Sequence, residues 1–342
     1  MYNDRLYANG IHSVLLADWE LACKTPLVIR NGQQIAYSDI TPDKTRLGNL
    51  SLSWQTPLDE EHSVAALYYG YEIRDDRVHR YHCVPASSVR GALRSWSIRH
   101  LVHPLLHETF TSPANKDEAA VNLHRSCVRQ GLSQRNTGCE LIASLFGLAA
   151  DEHEENALSN AGRLSIETQK YAGAGLRIVA VSDAKMEAPS EPDNVNRQMP
   201  VRNPLDRMTN SSRRGGLHRF LEVCRDERFA VQLRIINPLD CDLGLLGLWV
   251  RELNEGMLRI GALSSIGRGR MAVMRQEYEL WRRNNAPKLQ GDAFLREEAG
   301  GSRNNDILAG LWMRYVVPSD ELIKFADYLK EYTGGSIDAS LS

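Results

Sequence analysis

The sequence predicts an α+β fold. Period-two segments such as Phe229–Ile236, where Phe229, Val231, Leu233 and Ile235 point one way, read as half-buried strands. Helical-period segments such as Val84–His103 and Leu239–Glu255 lie between them. The two kinds of segment alternate irregularly, which favours α+β over a doubly wound sheet.

Taken in order, Ile11–Ile29 is rich in branched and apolar residues and reads as one or two strands. Residues 30–60 are polar with turn residues, a long loop or lid. Ser63–Ile73 is extended. Pro85 opens a helix with Ser87 and Ser88 as N-cap types, and Val89, Leu93 and Trp96 form its apolar face as far as about His103. A short helix over Glu140–Leu148 ends near Gly147, inside an insertion spanning 104–160. Gly162–Gln169 alternates as a strand, and Leu176–Val181 is another. Residues 183–216 hold Pro189, Pro192, Pro200 and Pro204 and turn from acidic to basic, which reads as a projecting hairpin or arm that orders on a partner, with a disordered surface insertion as the alternative. The helix Leu239–Glu255 stops at Gly256, and a glycine-rich loop, Leu258–Gly269, leads into a short strand, Met271–Met274. The main domain therefore spans 1–277, and 278–342 is a C-terminal extension whose amphipathic helix runs from Ser319 to about Tyr332.

The net charge of −2 conceals segregation. Residues 197–219 carry six arginines against Asp206, residues 259–275 carry four with no acid, and residues 84–107 carry three with no acid. These segments total +12, so the rest of the chain holds −14. A basic surface on an acidic body suits a polyanion. Arginine outnumbers lysine about four to one, and its planar fork suits phosphate. A GC-rich genome explains the ratio but not the clustering.

Two segments carry the anion chemistry. At Val84–Arg94 a helix start offers unpaired N–H groups, with the hydroxyls of Ser87 and Ser88 beside them. Arg90 and Arg94 share a face, where like charges repel unless a phosphate chain is present, and Gly91 permits close approach of another backbone. Such termini also occur in ordinary capped helices. In Arg259–Arg270, Gly261, Gly267 and Gly269 with Ser264 and Ser265 can expose consecutive N–H groups as a nest, flanked by Arg268 and Arg270. The alternative there is a tight structural turn. Gly267-Arg-Gly-Arg-Met-Ala imitates a dinucleotide fingerprint, but it leads into a strand-like segment rather than a helix, and no Gly-Lys-Ser/Thr makes a Walker loop.

Other chemistry is thinly supported. No nucleophile elbow or His-Glu-x-x-His pattern points to a small-molecule enzyme. His100, His103 and His107 read as structural or solvated. The cysteines Cys23, Cys83, Cys127, Cys139, Cys224 and Cys241 form no Cys-x-x-Cys pair and read as reduced thiols, although His124, Cys127 and Cys139 have a spacing open to zinc. No cofactor is expected. With no run of about 18 apolar residues and no signal-peptide pattern at the N-terminus, the expectation is a cytoplasmic protein without a membrane partner.

In sequence order, several marks resemble the RAMP superfamily of CRISPR proteins. They are Thr25-Pro26-Leu27; Pro85-Ala-Ser-Ser-Val-Arg-Gly-Ala-Leu-Arg; the pair Leu145-Phe146-Gly147 and Gly162-Arg163-Leu164; Asp206-Arg207-Met208-Thr209 with Gly216-Leu217 and Glu222; and Gly261 through Gly269. The resemblance implies a modified RRM-like, ferredoxin-like palm with an inserted helical finger region and a thumb hairpin at 183–216. It implies a Cas-seven-type backbone subunit that stacks along the spacer of a guide RNA. Ser87, Ser88, Arg90, Arg94, Arg197, Arg202, Arg207, Arg213, Arg214 and the glycine-rich loop would then hold guide phosphates, and Met199 or Met208 would wedge against a displaced base, with core packing as the alternative for both methionines. The implied partners are guide RNA, further copies of the chain, and complementary target DNA or RNA. Other effector subunits are also implied: a large subunit, guide-end-capping and repeat-processing RAMP proteins, and in one subtype a DinG-type helicase. In type III relatives an aspartate after the first strand cuts target RNA with a metal. Asp39, Asp43 and Asp59 occupy that region without the family's Asp-Asn-Pro context, which disfavours cleavage and leaves a type III-like endoribonuclease using Asp39 or Asp43 as the alternative. Length, Ala86 in place of glycine, and the C-terminal region resemble type IV instead.

Overall fold

The computed structural model describes residues 10–36, 45–46, 63–74, 77–102, 128, 132, 136–148, 161–169, 179–180, 196–202, 218–297 and 312–332. In chain order the strands are β1 (Ser13–Cys23), β2 (Arg30–Ala36), β3 (Thr45–Arg46), β4 (Ser63–Leu67), β5 (Tyr69–Arg74), β6 (Arg77–His82), β7 (Leu164–Gln169) and β8 (Val179–Ala180). They continue with β9 (Arg197–Gln198), β10 (Val201–Arg202), β11 (His218–Arg219), β12 (Glu222–Val223), β13 (Arg228–Ile236), β14 (Met271–Arg283), β15 (Arg296–Glu297) and β16 (Trp312–Val316). The α-helices are α1 (Ala86–Ser97), α2 (Thr137–Phe146) and α3 (Asp240–Glu255).

The central sheet is antiparallel, in the order β15-β16-β14-β1-β13-β7. Helix α1 lies between β1 and β7 in the chain, and α3 lies between β13 and β14. The β1 alternation sends Leu15, Ala17, Trp19 and Leu21 to the core. Phe229, Val231, Leu233 and Ile235 of β13 do the same, as the sequence pattern predicts. Inside this layer the Trp19 indole N–H donates to the Tyr278 hydroxyl at 3.0 Å.

Several expectations are corrected. The stretch 30–60 does not begin as a loop. Its first residues form β2, which pairs with β4 through Gln34↔Ala65 and Ile35↔Val64. Residues 32–34 are exposed, so the ribbon needs no apolar alternation and leaves none to read. Polar β6, which pairs with β5, escaped for the same lack of an apolar pattern. The strand read as Met271–Met274 continues to Arg283 along the full length of β1, crossing residue 277 where the extension was expected to begin. Tyr278 and Leu280 are buried at alternate positions, and Arg282 is buried against the Asp292 carboxylate at 2.5 and 2.8 Å. Partial burial raises the Asp292 carboxyl, but Arg282 outweighs this and holds it below the usual range.

The C-terminal region belongs to the same body. Strand β16 joins the central sheet, and the terminal segment Leu322–Tyr332 is a 3₁₀ helix rather than an α-helix. It presses on α3 closely: a Cβ at Gly244 would lie 2.4 Å from the Phe325 carbonyl oxygen. Gly291 is as tightly opposed to the Phe325 ring.

A buried ion pair ties the insertion to this core. Arg163 and Asp242 are both fully buried, with contacts at 2.5 and 3.1 Å. Arg163 also donates to Ser144 Oγ at 2.9 Å and to the Asn237 carbonyl at 3.1 Å. Asp242 accepts the Leu239 N–H at 2.9 Å, so it closes the first turn of α3 with a side chain of the helix itself. Helix α2 starts three residues earlier than predicted, because the Asn136 side chain caps it by accepting the Cys139 N–H.

Candidate nucleic-acid interface

The two segments singled out by sequence meet in space. A groove of about 460 Å³ runs between α1, the exit of β1 and the glycine-rich loop. The helix contributes Ser87, Ser88, Gly91, Ala92 and Ser95, and the π-helical turn that continues it, Ile98–Val102, contributes Arg99; Val28, Ile29 and Arg30 come from the other wall, and Leu258, Arg259, Gly261 and Ala262 from the loop. Three arginines line it, with no carboxylate, carboxamide or aromatic residue among the described lining residues. Such a surface attracts a polyanion and offers no aromatic ring on which a base would stack.

The loop is wound before any ligand arrives. Gly256, Gly261, Gly267 and Gly269 have positive φ, and so does Leu263 at 62°. At Gly269 a Cβ would lie 2.0 Å from the Ile260 carbonyl oxygen, so glycine is obligatory there. The Arg259 guanidinium staples the loop by donating to the Gly256 carbonyl at 3.2 Å and the Ser264 carbonyl at 2.7 Å. The Ala262 N–H donates to the Val28 carbonyl at 2.8 Å and the Gly269 N–H to Pro26 at 3.0 Å. These bonds fix the loop to the segment leaving β1, the other side of the groove.

The predicted arginines divide. Arg90 donates to the carbonyl of Phe146, so it caps the C-terminus of α2 and does not face the groove. Arg94, one turn on, sits on the same flank, outside the groove lining. Arg268 is bound to the buried Glu222 carboxylate at 2.7 and 3.1 Å. Arg270 lies across Gly256, whose Cβ would come within 2.6 Å of its Nε. Arg197, expected to meet phosphate, is fully buried in β9, and Met199 is buried in the core, so neither presents a side chain to a ligand.

The serines need correction too. Helix α1 is preceded by Pro85 as its cap residue with no side-chain cap bond, so Ser87 and Ser88 lie within the helix and on the groove wall. Ser264 and Ser265 form a 3₁₀ turn with Ile266; they and Gly267 lie outside the groove, and Gly269 is buried. Arg30, Ser95 and Arg99 were missed as site residues. Arg99 lies two further helix turns along the Ser87–Gly91 face, and that spacing was readable. Its Nε donates to the Ser95 carbonyl at 3.2 Å, which holds it along the wall.

The paired mark Leu145-Phe146-Gly147 and Gly162-Arg163 is one contact. A Cβ at Gly162 would fall 2.6 Å from the Phe146 carbonyl carbon, and the Arg163 N–H donates to Ser144 at 3.0 Å.

The basic arm is described at its base. Arg197↔Val223 and Gln198↔Glu222 pair antiparallel, and Val201↔Arg219 and Arg202↔His218 continue the ribbon. Arg207, Met208, Arg213 and Arg214 lie outside the described residues, as do Asp39, Asp43 and Asp59 and, of the zinc reading, His124 and Cys127. Cys139 is buried, and among the described residues no three His, Cys, Asp or Glu side chains cluster as a metal site. Burial pushes the Cys83 thiol up to about 11, far from the ionised form that reacts or ligates. No described helix is long and apolar enough to cross a membrane.

The family model of the RAMP superfamily matches residues 20–272, which include every groove residue. A solved structure titled "Type IV-B CRISPR Complex" is similar at 13% identity and a TM-score of 0.41, covering 85% of this chain and 96% of that chain. No curated protein matches.

Proposed function

The chain belongs to the RAMP superfamily, and from that premise we propose that it is a guide-RNA-binding backbone subunit of a type IV CRISPR effector. The groove carries this reading. It joins the family's proline–serine–serine helix start to its glycine-rich loop, and both walls suit a sugar–phosphate chain. Arg30, Arg99 and Arg259 supply charge, and Ser87, Ser88 and Ser95 supply hydroxyl donors. In this reading the guide is held by its phosphates, and its bases stay free for pairing.

In this reading the sheet order β14-β1-β13-β7, with α1 and α3 as its crossovers, is the RRM-like palm. The antiparallel ribbon at 197–202 and 218–223 is the root of the thumb. The subunit stacks along the spacer with other copies of itself and with the remaining effector subunits, and it presents the guide to a complementary target without cutting it. Assignment to type IV rests on the resemblance in length, at Ala86 and in the C-terminal region.

The test is purification with a guide RNA. We expect a repeating assembly and an affinity that falls steeply between 50 and 200 mM salt, as phosphate contacts require. Salt-insensitive binding, or no assembly with guide, would overturn the reading.

A further inference from the structure

Gly91 sits in the middle of α1, where glycine weakens a helix relative to alanine. Glycines in helices are normally kept for close packing or unusual backbone angles, and α3 shows the first reason twice. A Cβ at Gly244 would strike the Phe325 carbonyl at 2.4 Å, and one at Gly247 would meet Leu322 at 3.2 Å. Gly261, across the groove, has both reasons: φ is +90° and the Val28 carbonyl lies 2.6 Å from its would-be Cβ. Gly91 has neither. Its φ is not positive, it is exposed, and a Cβ there meets nothing within 4 Å among the described residues. The packing of the described residues would accept alanine. Yet Gly91 lies on the groove wall, flanked by Ser88, Ala92 and Ser95 and facing an arginine-lined opening.

We infer that Gly91 is kept for the ligand: it is the point where an RNA sugar–phosphate chain packs directly against the helix backbone, and a methyl group there would hold the chain off the wall. This rests on the groove being the guide-binding site. Gly91 is therefore a positioning residue that sets how deeply the chain seats, and through that depth the reach of the Arg30 and Arg99 guanidinium groups to phosphate.

The inference predicts opposite signs in two measurements on one variant. Gly91→Ala is expected to raise the melting temperature by about 1–3 °C, through helix propensity. The same variant is expected to bind single-stranded guide RNA at least tenfold more weakly, and Gly91→Val more weakly still. Ala286→Ser, a change of similar size in the turn after β14 and outside the groove lining, serves as the control and keeps affinity within about twofold, a difference well under 1 kcal/mol. Wild-type affinity in Gly91→Ala overturns the inference while leaving the groove assignment standing. A lowered melting temperature in Gly91→Ala also overturns it, because the glycine would then serve the fold. If the wild-type protein binds no RNA, the groove assignment falls first and the inference with it.

Discussion

At the scale of single residues, arginines divide by which of them the fold places on the groove wall. Arg90 and Arg99 share one helical stretch and carry the same charge, yet they do different work. Arg90 donates to the Phe146 carbonyl and stabilises the end of α2, while Arg99 lines the groove. Arg99→Gln is therefore expected to weaken guide binding and to reduce the slope of log affinity against log salt by about 0.7, one phosphate contact on a single strand. Thermal unfolding should be unchanged. Arg90→Gln is expected to behave the other way, costing about 1–2 kcal/mol of stability with the salt slope intact. Titrating both variants at several salt concentrations, beside their melting curves, checks the division. A shallower slope in Arg90→Gln would return that residue to the RNA surface.

At the scale of elements, stability concentrates where three segments share one buried ion pair. Arg163 enters β7, Ser144 belongs to α2, and Asp242 closes the first turn of α3. Replacing both charges with apolar groups would cost little, but removing one strands the other in the core. Asp242→Ala is expected to cost about 3–5 kcal/mol by chemical denaturation, because it leaves the Arg163 guanidinium buried without its carboxylate. A cost under about 1 kcal/mol would mean that water reaches the site and solvates the arginine. The element scale is also where local patterns were easiest to misread. The polar strand β2 and the long strand β14 were underestimated because exposed ribbons and charged sheet positions lack apolar alternation. Arg282 is the instructive case: it sits buried in β14 with the Asp292 carboxylate bonded to its guanidinium and the Tyr315 ring of β16 packed against it.

At the scale of the whole molecule, strand order builds the groove. Cys23 at the end of β1 pairs with Met271 at the start of β14, so the residues just after one strand lie beside those just before the other. That antiparallel pairing sets Val28–Arg30 against the glycine-rich loop, and α1 completes the third wall. Under the proposed function, a groove lined by three arginines and, among its described residues, by no carboxylate holds a phosphate chain, and the region of Asp39, Asp43 and Asp59 lacks the Asp-Asn-Pro context that goes with cutting in type III relatives. The intact assembly is accordingly expected to bind complementary RNA with Mg²⁺ present and leave it whole. Fragments at regular spacing, lost in Asp43→Ala or Asp39→Ala with binding preserved, would establish the nuclease alternative instead.

The amino-acid sequence by itself determined the period-two strands, the helices ending at Gly147 and Gly256, and the two anion-suited segments with their glycines. These are local properties, carried by neighbouring residues and their torsions. Only the tertiary structure decided which arginines stay available to a ligand. Arg268 meets Glu222 across 46 residues, Arg90 meets Phe146 across 56, and Arg163 meets Asp242 across 79. A guanidinium's charge is written in the chain, but its partner is chosen by packing that brings distant segments together. The same packing made Gly91 informative, because only a folded neighbourhood can show that a glycine has room for a side chain.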